Sequence, residues 1–555
     1  MSRLSLGLDS STQSLSAVVI NIDTGEIVYQ RALDYIKDSR LNGFGIRKKD
    51  YIIPPRVEGE ADQPPEMFFA SLDAMFSDMK KDGLNLEDVV VINNSAQQHG
   101  HVYLNARSQE IFSRLHEPES SDSDLVTILD GCLAYKTAPI WMTSNTLAEA
   151  NLARNIMRGK EAMIMASGSN APLRFTGAVI RRVAEQFPKV YHEATTKIQL
   201  ISSLIAGILS GNPDVPIDFG NGSGMSLMDY RRKQWSDALI NAHTAGMQFP
   251  TDLVEGIPDL PGGAQALRAK LPDLVAPDKI VGTIAAYFVQ KYGFNPDCKV
   301  VAGSGDNPQS KVLVAGDLLS LGTSFVNMVS TDGNTFDMNG LANAMYDGIG
   351  RPFMFGCRTN GANVWDQLRA LHGMEKGDYA RAEEALRKAP LGRYITFWSP
   401  KSESFPVYGT VGLTSPTHQT GEFEKDYPGL VEATLASVCL HSMYFSKICC
   451  DEPLYVMGGA TDSPEIMRRV AAIWNRPVIP VAKGGAALGA AVAGAYAFLR
   501  AYGDDPNIEL MSSRILARST PIKPDAKNSG IYHGNGYLKR LGAEEAKLIE
   551  THHVK

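Results

Sequence analysis

The residues LSLGLDSSTQS, 4–14, decide the fold of this chain. Leucines alternate with small residues up to Asp9, which is the period of a β-strand, and a turn of small hydroxyl residues follows. A second strand over 16–21 and a turn at 23–25 lead into a third strand, so the chain opens as a β-meander. The same design returns at 318–329, with a turn of Gly, Thr and Ser, and this suggests two related domains.

The length and composition are those of a globular protein with two large domains. At 555 residues, the chain exceeds the size that one hydrophobic core usually supports. Hydrophobic residues make up 44% of it and charged residues 21%. The formal net charge of -7 is spread along the chain, which argues against a nucleic-acid or membrane-surface partner.

Cysteine usage and the N-terminus both indicate the cytoplasm. The six cysteines form no CxxC motif and no Cys/His ligand pattern, so we interpret them as free, buried thiols in a reducing compartment. The first residues turn polar too early for a signal peptide, and the longest apolar run, 486–499, is too short to span a bilayer. Monomer and homodimer both remain open.

Strand and helix signals alternate along the N-terminal half, which is the pattern of an α/β fold. Residues 88–93 are typical of a buried strand, whereas 178–187 and 198–209 have the apolar spacing of helices. The Gly- and Pro-rich stretch 256–263 is the candidate boundary region. The predicted divisions are an N-terminal domain over 1–278, a C-terminal domain over 279–500 and a helical tail over 501–555.

Two turns have the composition of phosphate-binding loops. Turns of Gly, Ser and Thr let the backbone approach a phosphate closely and donate hydrogen bonds to it. Asp9 cannot hold a phosphate, because like charges repel, but it can orient Mg²⁺ or its water shell. Taken singly, each turn is more simply an ordinary hairpin. The candidate phosphate-binding residues are Ser10, Ser11 and Thr12 in the first turn and Gly322, Thr323 and Ser324 in the second.

The segment VAGSGDN, residues 301–307, predicts a strand that runs into a glycine-rich turn. The glycines allow the Asp306 carboxylate to project into a cleft, where it suits a general base that accepts a hydroxyl proton. Asn307 beside it can donate to and accept from a sugar hydroxyl. The alternative is that Asp306 only caps a helix.

Three further segments carry candidate binding residues. SAQQHGH, residues 95–101, places Gln98 and His99 at the end of the buried strand, although a lone histidine is more often structural. Arg174 precedes a predicted helix start, where it either bonds substrate oxygens or lies solvated on the surface. The turn of VMGGAT contains Gly458 and Gly459, which would leave room for an adenine.

In chain order, these segments resemble the FGGY carbohydrate kinases of the actin, Hsp70 and hexokinase superfamily. The matching strings are GLDSSTQS, SAQQHGH, PIW, RFTG, GSGM, GSGDN, LSLGTS and MGGA. They extend from residue 4 to about 500, and their order is more specific than any one of them. The strings SAQQHGHVY, PIDFGNGSGM and YFVQKYGFNPDCKV are most similar to xylulose kinases.

The resemblance implies two ribonuclease-H-like domains around a central cleft that binds ATP and Mg²⁺. In that arrangement Asp306 is the catalytic base, and Asp9 and Asp306 are the expected Mg²⁺ ligands. The resemblance also implies that the sugar is bound by His99, Arg174, Asn307 and Gln98. The two hydroxyl turns would bind the phosphates, and the adenosine would lie against Gly458, Gly459 and Ser463.

Three positions depart from the family pattern. Thr143 lies two residues after the tryptophan of PIW, where the family usually has Asp. Asn221 replaces an Asp of related xylulose kinases, and Ser463 replaces a frequent Asn near the adenosine. The segment 377–422 also matches the family poorly. These departures concern the substrate and nucleotide contacts and leave Asp306 in place.

We therefore expect a cytoplasmic ATP-dependent kinase that phosphorylates the terminal hydroxyl of a small-molecule ketopentose. D-xylulose, giving D-xylulose 5-phosphate, is the first candidate. The alternatives are a kinase of the same fold that acts on ribulose, glycerol or gluconate, and a sugar-binding sensor without catalysis. An actin-like filament protein is disfavoured by the sugar-site strings.

Overall fold

The computed structural model describes residues 2–247, 263–375, 377–481, 484–516 and 519–553. Strands and helices alternate along the chain, which confirms the predicted α/β class. The predicted boundary stretch lies, up to residue 262, outside the described residues. Within the described ranges, no helix combines the length and apolarity that a membrane crossing needs.

The strands and helices have the following bounds. The strands are β1 Leu4–Ser10, β2 Ser14–Asn21, β3 Ile27–Asp34, β4 Asp62–Gln63, β5 Val89–Ala96, β6 His101–Asn105, β7 Ala138–Pro139, β8 Thr195–Leu200, β9 Ile217–Asp218, β10 Met228–Asp229, β11 Gln234–Trp235, β12 Leu274–Val275, β13 Ile280–Thr283, β14 Lys299–Val301, β15 Ser304–Gly305, β16 Leu318–Leu321, β17 Phe325–Ser330, β18 Asn343–Tyr346, β19 Pro352–Arg358, β20 Phe397–Ser399, β21 Glu403–Ser404, β22 Val407–Tyr408, β23 Val411–Thr414, β24 Leu454–Met457 and β25 Val478–Pro480. The helices are α1 Pro65–Lys81, α2 Ser108–Ser113, α3 Leu125–Ile128, α4 Leu147–Ile156, α5 Lys160–Ser167, α6 Thr176–Gln186, α7 Ile201–Ser210, α8 Phe219–Gly222, α9 Asp237–Thr244, α10 Gly263–Lys270, α11 Ala286–Tyr292, α12 Asp306–Val312, α13 Ala362–Leu371, α14 Ala380–Lys388, α15 Phe423–Ser442, α16 Pro464–Trp474, α17 Ala486–Ala501, α18 Ile508–Ile515, α19 Ala526–Tyr532 and α20 Tyr537–Thr551.

The first large sheet contains the predicted β-meander. Its strand order is β13-β14-β5-β1-β2-β3, and β15 also pairs with β5. β1, β2 and β3 are antiparallel neighbours, whereas β5 runs parallel to β1 and β14 runs parallel to β5. The buried core on this sheet includes Leu6, Leu8, Val19 and Ile92.

The second large sheet repeats the plan of the first. Its order is β18-β19-β17-β16-β24-β25. β16, β17 and β19 are antiparallel neighbours, and β24 and β25 follow on the other side of β16 as parallel strands. In both sheets an antiparallel three-stranded meander is therefore extended by two parallel strands beside its first strand. This shared order confirms the internal repeat that the two hairpins suggested.

The chain divides into two compact units that are not continuous in sequence. Unit 1 consists of Met1–Leu313, Met345–Pro352 and Gly485–Ile515, and unit 2 of Val314–Ala344, Phe353–Gly484 and Leu516–Lys555. These units differ from the divisions predicted at 278/279 and 500/501. The physical reason is that β14 and β15 pair with β5, and that α17 packs on β1. The tail 501–555 is likewise shared between the units.

Two local predictions are also decided by the structure. The apolar run 198–209 is not one helix, because residues 198–200 end β8, which pairs antiparallel with β6, and α7 begins only at Ile201. Short apolar runs of this kind fit a strand or a helix equally well. Cys132, Cys298 and Cys439 are buried free thiols, as predicted, whereas Cys357 and Cys450 are only half-buried and Cys449 is exposed.

Candidate active site

In unit 1, the predicted site residues gather at the carboxyl ends of parallel strands. β1 and β15 both pair with β5, so that Asp9 and Ser304 each lie opposite Ser95 in the sheet. Asp306 follows β15 directly and is the first residue of α12. Ligands of α/β proteins commonly bind at this edge of a sheet.

The two predicted carboxylates influence one another. Burial raises the pKa of Asp306 to about 7 and the charge of Asp9 adds to the rise, whereas the N–H groups of Asn307 and Gln98 oppose it. Burial also raises the pKa of Asp9 to about 6, although the Ser95 hydroxyl donates a 2.7 Å hydrogen bond to Asp9 Oδ1. A carboxyl group whose pKa lies near neutrality is suited to accept and release protons at the pH of a cell.

Asn307 and the backbone N–H of Gln98 hold the Asp306 carboxylate. Asn307 donates its backbone N–H to Asp306 Oδ1 over 2.8 Å and its amide Nδ2 to the same oxygen over 3.1 Å. Asn307 Nδ2 also lies 3.2 Å from Gln98 Oε1. Gln98 is buried beside Gly305, where an added Cβ would lie 2.4 Å from Gln98 Cγ. The glycine before Asp306 is therefore required by the close approach of Gln98.

His99 is a neutral, oriented imidazole. Burial lowers its pKa to about 3, and the neighbouring charge of Arg174 lowers it further. Its Nδ1 lies 2.8 Å from the carbonyl oxygen of Gly224, and its ring stacks on Phe175 with centroids 4.5 Å apart. Since a carbonyl only accepts, Nδ1 carries the proton, and Nε2 has a lone pair for a hydroxyl donor.

Arg174 lies half-buried beside this imidazole, in the loop before α6. The guanidinium of Arg174 forms no hydrogen bond and no ion pair with any of the described residues. A guanidinium has five donors, so that this side chain can bind several ligand oxygens. Arg174, His99, Gln98 and Asn307 thus provide donors and acceptors that suit a polyhydroxylated ligand.

The first hydroxyl turn is tightly built. The Ser10 hydroxyl is buried and lies 3.0 Å from the Tyr35 hydroxyl, so it is engaged inside the sheet. Ser11 closes the turn with bonds to Ser14. The Thr12 hydroxyl accepts a 2.8 Å hydrogen bond from Trp141 Nε1, which ties the PIW segment to this turn.

In unit 2, the second hydroxyl turn lies beside the glycine turn. Gly458 has a φ of 106°, and an added Cβ would lie 2.5 Å from the carbonyl oxygen of Leu321. The Gly322 carbonyl accepts from the N–H of Ala362 over 3.0 Å, which fixes the turn against α13, while Thr323 is exposed and Ser324 half-buried. Gly459 faces open space, because an added Cβ would have no heavy atom of the described residues within 4 Å.

A cavity of about 540 Å³ opens between these two turns and the helices α13, α14, α15 and α16 of unit 2. Its volume lies within the range of small-ligand sites. Aromatic and aliphatic side chains form most of its walls, and carboxylates and one guanidinium supply polar groups. The residues that line it include Gly322, Thr323, Gly459 and Ser463 of the predicted nucleotide site, together with Trp365, Arg369, Tyr379, Glu383, Leu386, Tyr427 and Ile466.

Ser463 is held by its neighbours on the cavity wall. Its hydroxyl caps α16 by accepting the N–H of Ile466 over 3.1 Å and donates to Glu383 Oε2 over 2.5 Å. Glu383 Oε1 also accepts the N–H of Glu465 over 3.0 Å. Glu383 belongs to α14, within the segment 377–422 that matches the family pattern poorly, so this chain completes its cavity with a helix that sequence reasoning missed.

The other two departures lie in unit 1. Thr143 is buried and donates to the carbonyl of Ala61 over 3.2 Å, which is a structural contact. Asn221 is buried at the site, donates to Ser202 Oγ over 2.8 Å, and directs Oδ1 toward Gly305, where an added Cβ would lie 2.8 Å away. Asn221 is therefore part of the surroundings of Asp306.

Sequence reasoning missed three polar residues that support the site. Ser95 bonds Asp9, Asp218 accepts a 2.7 Å bond from Ser304 Oγ, and Glu383 bonds Ser463. Only Asp218 has a local signal, since an Asp before a Phe-Gly-Asn-Gly run is typical of a helix N-cap.

Comparison with known proteins shows what parts of this chain are similar to. Residues 318–498 match the model of the C-terminal domain of the FGGY family of carbohydrate kinases. Over these residues the chain is similar to this family. It is 27% identical over 493 residues to the xylulose kinase of Mus musculus, a match that covers 86% of this chain and 82% of that protein.

Two further relatives extend this comparison. The chain is 31% identical over 334 residues to D-xylulose kinase A of Aspergillus niger. This match covers 59% of this chain and only 54% of the Aspergillus protein. The crystal structure of xylulose kinase from Rhodospirillum rubrum superposes with a TM-score of 0.75 at 16% identity, covering 99% of both chains. At this identity the likeness establishes the fold alone.

Proposed function

We propose that this protein is an ATP-dependent sugar kinase that phosphorylates the terminal hydroxyl of a ketopentose. D-xylulose, converted to D-xylulose 5-phosphate, is the substrate that we propose first. The observation that carries the proposal is the placement of Asp306. Its carboxylate starts a helix at a strand end, has a pKa near neutrality, and is contacted by Asn307 and by the backbone N–H of Gln98.

The acceptor sugar is assigned to unit 1. Arg174 donates to sugar oxygens, and Nε2 of His99 accepts a hydrogen bond from a sugar hydroxyl, since its Nδ1–H is committed to Gly224. The site combines neutral polar groups with one guanidinium cation, which suits a ligand with several hydroxyl groups and a carbonyl oxygen. The identities of the xylulose kinase relatives, 27–31%, support a ketopentose over other acceptors.

Asp306 is the proposed general base. The terminal hydroxyl gives its proton to the Asp306 carboxylate while the hydroxyl oxygen forms a bond to the γ-phosphorus of ATP, and ADP leaves. The amide of Asn307 orients the carboxylate through its two bonds to Oδ1. The raised pKa of Asp306 gives the base a proton affinity that is matched to neutral pH.

The nucleotide is assigned to the cavity of unit 2. Gly459 on the cavity wall and the adjoining Gly458 of the same turn would receive the adenosine, with Ser463 and Glu383 as polar groups at its edge. We assign Gly322, Thr323 and Ser324 to the phosphates, together with Ser11 and Thr12 of the first turn. Ser10 contributes through its backbone position, because its hydroxyl is engaged by Tyr35.

Asp9 and Asp306 are the proposed protein ligands of Mg²⁺. Two carboxylates close enough for one to raise the pKa of the other fit a hard dication, which prefers oxygen ligands. In the described part of the chain, no group of three or more His, Cys, Asp or Glu side chains could hold a metal. A Mg²⁺ ion held by one or two carboxylates takes its other ligands from phosphate oxygens and water. When bound, the ion neutralises phosphate charge.

A panel of acceptors tests the proposal. Sugar-dependent ADP release is measured with MgATP and D-xylulose, D-ribulose, glycerol or gluconate. We expect the highest kcat/KM with D-xylulose, by about tenfold or more over the others. A higher value for another acceptor would replace the proposed substrate, and no stimulated ADP release with any of them would contradict the kinase assignment.

A further inference from the structure

Asp218 is a buried carboxylate that the proposed mechanism does not use. It ends the short strand β9 and is 1% exposed. Its Oδ2 accepts two hydrogen bonds, from Ser304 Oγ over 2.7 Å and from the backbone N–H of Asn221 over 3.2 Å. Its Oδ1 has no hydrogen-bond partner among the described residues. One oxygen of Asp218 thus joins the start of α8 to Ser304, which lies 86 residues after Asp218 in the chain.

Each of these two segments carries part of the acceptor site. Ser304 begins β15 and lies two residues before Asp306, so its position determines where the base leaves the sheet. On the other side, Asp218 caps α8, which contains Asn221. Just beyond α8, the carbonyl of Gly224 accepts the Nδ1–H of His99.

The packing around Asp218 leaves little freedom to these segments. An added Cβ at Gly220 would lie 2.5 Å from Asp218 Oδ2 and 2.9 Å from Ser304 Oγ. An added Cβ at Gly224 would lie 2.8 Å from His99 Cε1. If either segment shifts, Asp306 or His99 therefore has to move with it, because these groups are in direct contact.

If Asp218 only linked two segments, its buried carboxylate would lower the stability of the fold. Burial raises the pKa of Asp218 to about 7, although the bonds from Ser304 and Asn221 oppose the rise. A buried charge with an unpartnered oxygen destabilises a fold, and a neutral group of the same shape would link the segments at less cost. Locally unfavourable choices of this kind concentrate at functional sites.

We propose that Asp218 is a positioning residue of the acceptor site. It holds the Ser304–Asp306 turn and the Asn221–Gly224 segment in register, so that the base and the sugar contacts face one bound acceptor. This role rests on the proposed function, since it concerns the geometry in which the acceptor is bound and deprotonated. Asp218 itself touches neither the sugar nor the phosphate.

Three variants and a matched control test this role. Asp218→Ala removes both bonds, Ser304→Ala removes only the link to β15, and Asp218→Asn keeps an acceptor oxygen. The control is Ser167→Ala, which removes a hydroxyl of equal burial that bonds the carbonyls of Met163 and Ser169 in α5 and just beyond it. For each variant, kcat and KM are measured with the sugar varied and again with ATP varied, and Tm is measured by thermal unfolding.

Asp218→Ala and Ser304→Ala should lower kcat/KM for the sugar by about tenfold to a hundredfold, because small misplacements of reacting groups have effects of this size. The KM for ATP should stay within about twofold of wild type, and Asp218→Asn should recover most of the loss. Ser167→Ala should lower only Tm. If Asp218→Ala and Ser304→Ala also lower only Tm, Asp218 serves the fold alone and the proposal is overturned.

A structural measurement separates this proposal from the proposed function. If the wild-type protein turns over no acceptor, the kinase assignment fails, and crystals of wild type and Ser304→Ala in one crystal form decide the role of Asp218. We expect the side chains of Asp306 and Asn221 to move by about 1 Å in the variant, the scale at which reactivity is lost. Coincident side chains in the two structures would overturn the positioning role. Ser304→Ala also serves if Asp218→Ala does not fold.

Discussion

At the scale of single residues, the reactivity of Asp306 follows from its surroundings. The ordinary pKa of the aspartate side chain, 3.8, rises to about 7 because the carboxyl group loses water and faces Asp9. A base has to be ionised before it can accept a proton, so the rise places the useful range of Asp306 at and above neutral pH. Both the rate and the stability of the protein should therefore depend on the ionisation of this residue.

The pH profile of kcat/KM for the sugar tests this ionisation. Below pH 7 Asp306 is protonated and cannot act as the base, so kcat/KM should rise by about tenfold per pH unit up to a plateau above neutrality. The profile is measured from about pH 5 to about pH 9 with MgATP well below its KM, so that it reports the ionisation of Asp306 before Mg²⁺ binds. A flat profile between about pH 5 and about pH 8 would show that no group with this pKa controls the reaction.

The stability of Asp306→Asn tests the cause of the shift. A raised folded-state pKa means that the protonated form is favoured in the fold, so the wild-type protein loses stability as the pH rises from 3.8 through about 7. Asparagine avoids this loss. We expect the variant to be more stable than wild type by roughly 1–3 kcal/mol at about pH 8, and to be equal to wild type near about pH 4. Denaturant unfolding at the two pH values measures the difference, and an equal difference at both would contradict it.

The site can be predicted only where its residues share a local pattern. Asp306 and Asn307 are predictable because a glycine turn indicates a projecting carboxylate, and His99 because it follows a buried strand. Ser95, Asp218 and Glu383 act through bonds to residues 80 or 86 positions away in the chain. No periodicity or turn signal reports such a pairing, which depends on strand register and helix packing.

At the scale of elements, α17 shows how closely the small residues pack. The Ala- and Gly-rich composition predicts a tightly packed helix, and an added Cβ at Gly7 of β1 would lie 2.0 Å from the carbonyl oxygen of Ala487. An added Cβ at Gly489 would lie 1.9 Å from the carbonyl of Gln309 in α12. The helix therefore touches the backbone of β1 and of α12, the elements that carry Asp9 and Asp306. The composition indicates the close packing but not the partners.

Gly7→Ala tests this contact. The added methyl group meets backbone atoms of α17 that cannot rotate away, so the helix has to move from the sheet. We expect a loss of about 1–3 kcal/mol in the free energy of unfolding, or failure to fold. Gly43→Ala is the matched control, because no heavy atom of the described residues lies within 4 Å of the added atom and its stability should barely change. Equal stabilities of the two variants would contradict the close packing of α17 on β1.

At the scale of the whole molecule, the last helix belongs to unit 2 although it ends the chain. Glu545 of α20 is buried, accepts from Ser437 Oγ over 2.7 Å, and lies 2.8 Å from Nε2 of His441 and 3.9 Å from the guanidinium of Arg358. Burial alone would raise the pKa of the Glu545 carboxyl. The contacts with His441, Arg358 and Ser437 outweigh burial and hold this pKa below its usual value. The sequence predicts a helical tail, but its docking partner depends on these distant side chains.

Glu545→Ala tests how the C-terminal helix is anchored. The variant leaves Arg358 and His441 without this carboxylate in a buried place, so we expect a loss of about 3 kcal/mol in stability.

The same variant tests the pH dependence of this anchor. Since the pKa of Glu545 is lowered in the fold, its contribution to stability is present above the unfolded-state pKa and is lost as the pH falls through the folded-state pKa. Thermal unfolding at neutral and at acid pH measures both effects. Glu550→Ala, at an exposed position of the same helix, should change neither, and an equal effect of both variants would contradict the anchor.

The most direct test of the central claim is the turnover of Asp306→Asn with D-xylulose and MgATP, measured beside sugar binding by calorimetry. General-base catalysis contributes about 100-fold to 10,000-fold, so turnover should fall by that factor while the Kd for the sugar stays within about threefold of wild type. Turnover within a few-fold of wild type would show that another group takes the proton and would contradict the role of Asp306 as the base.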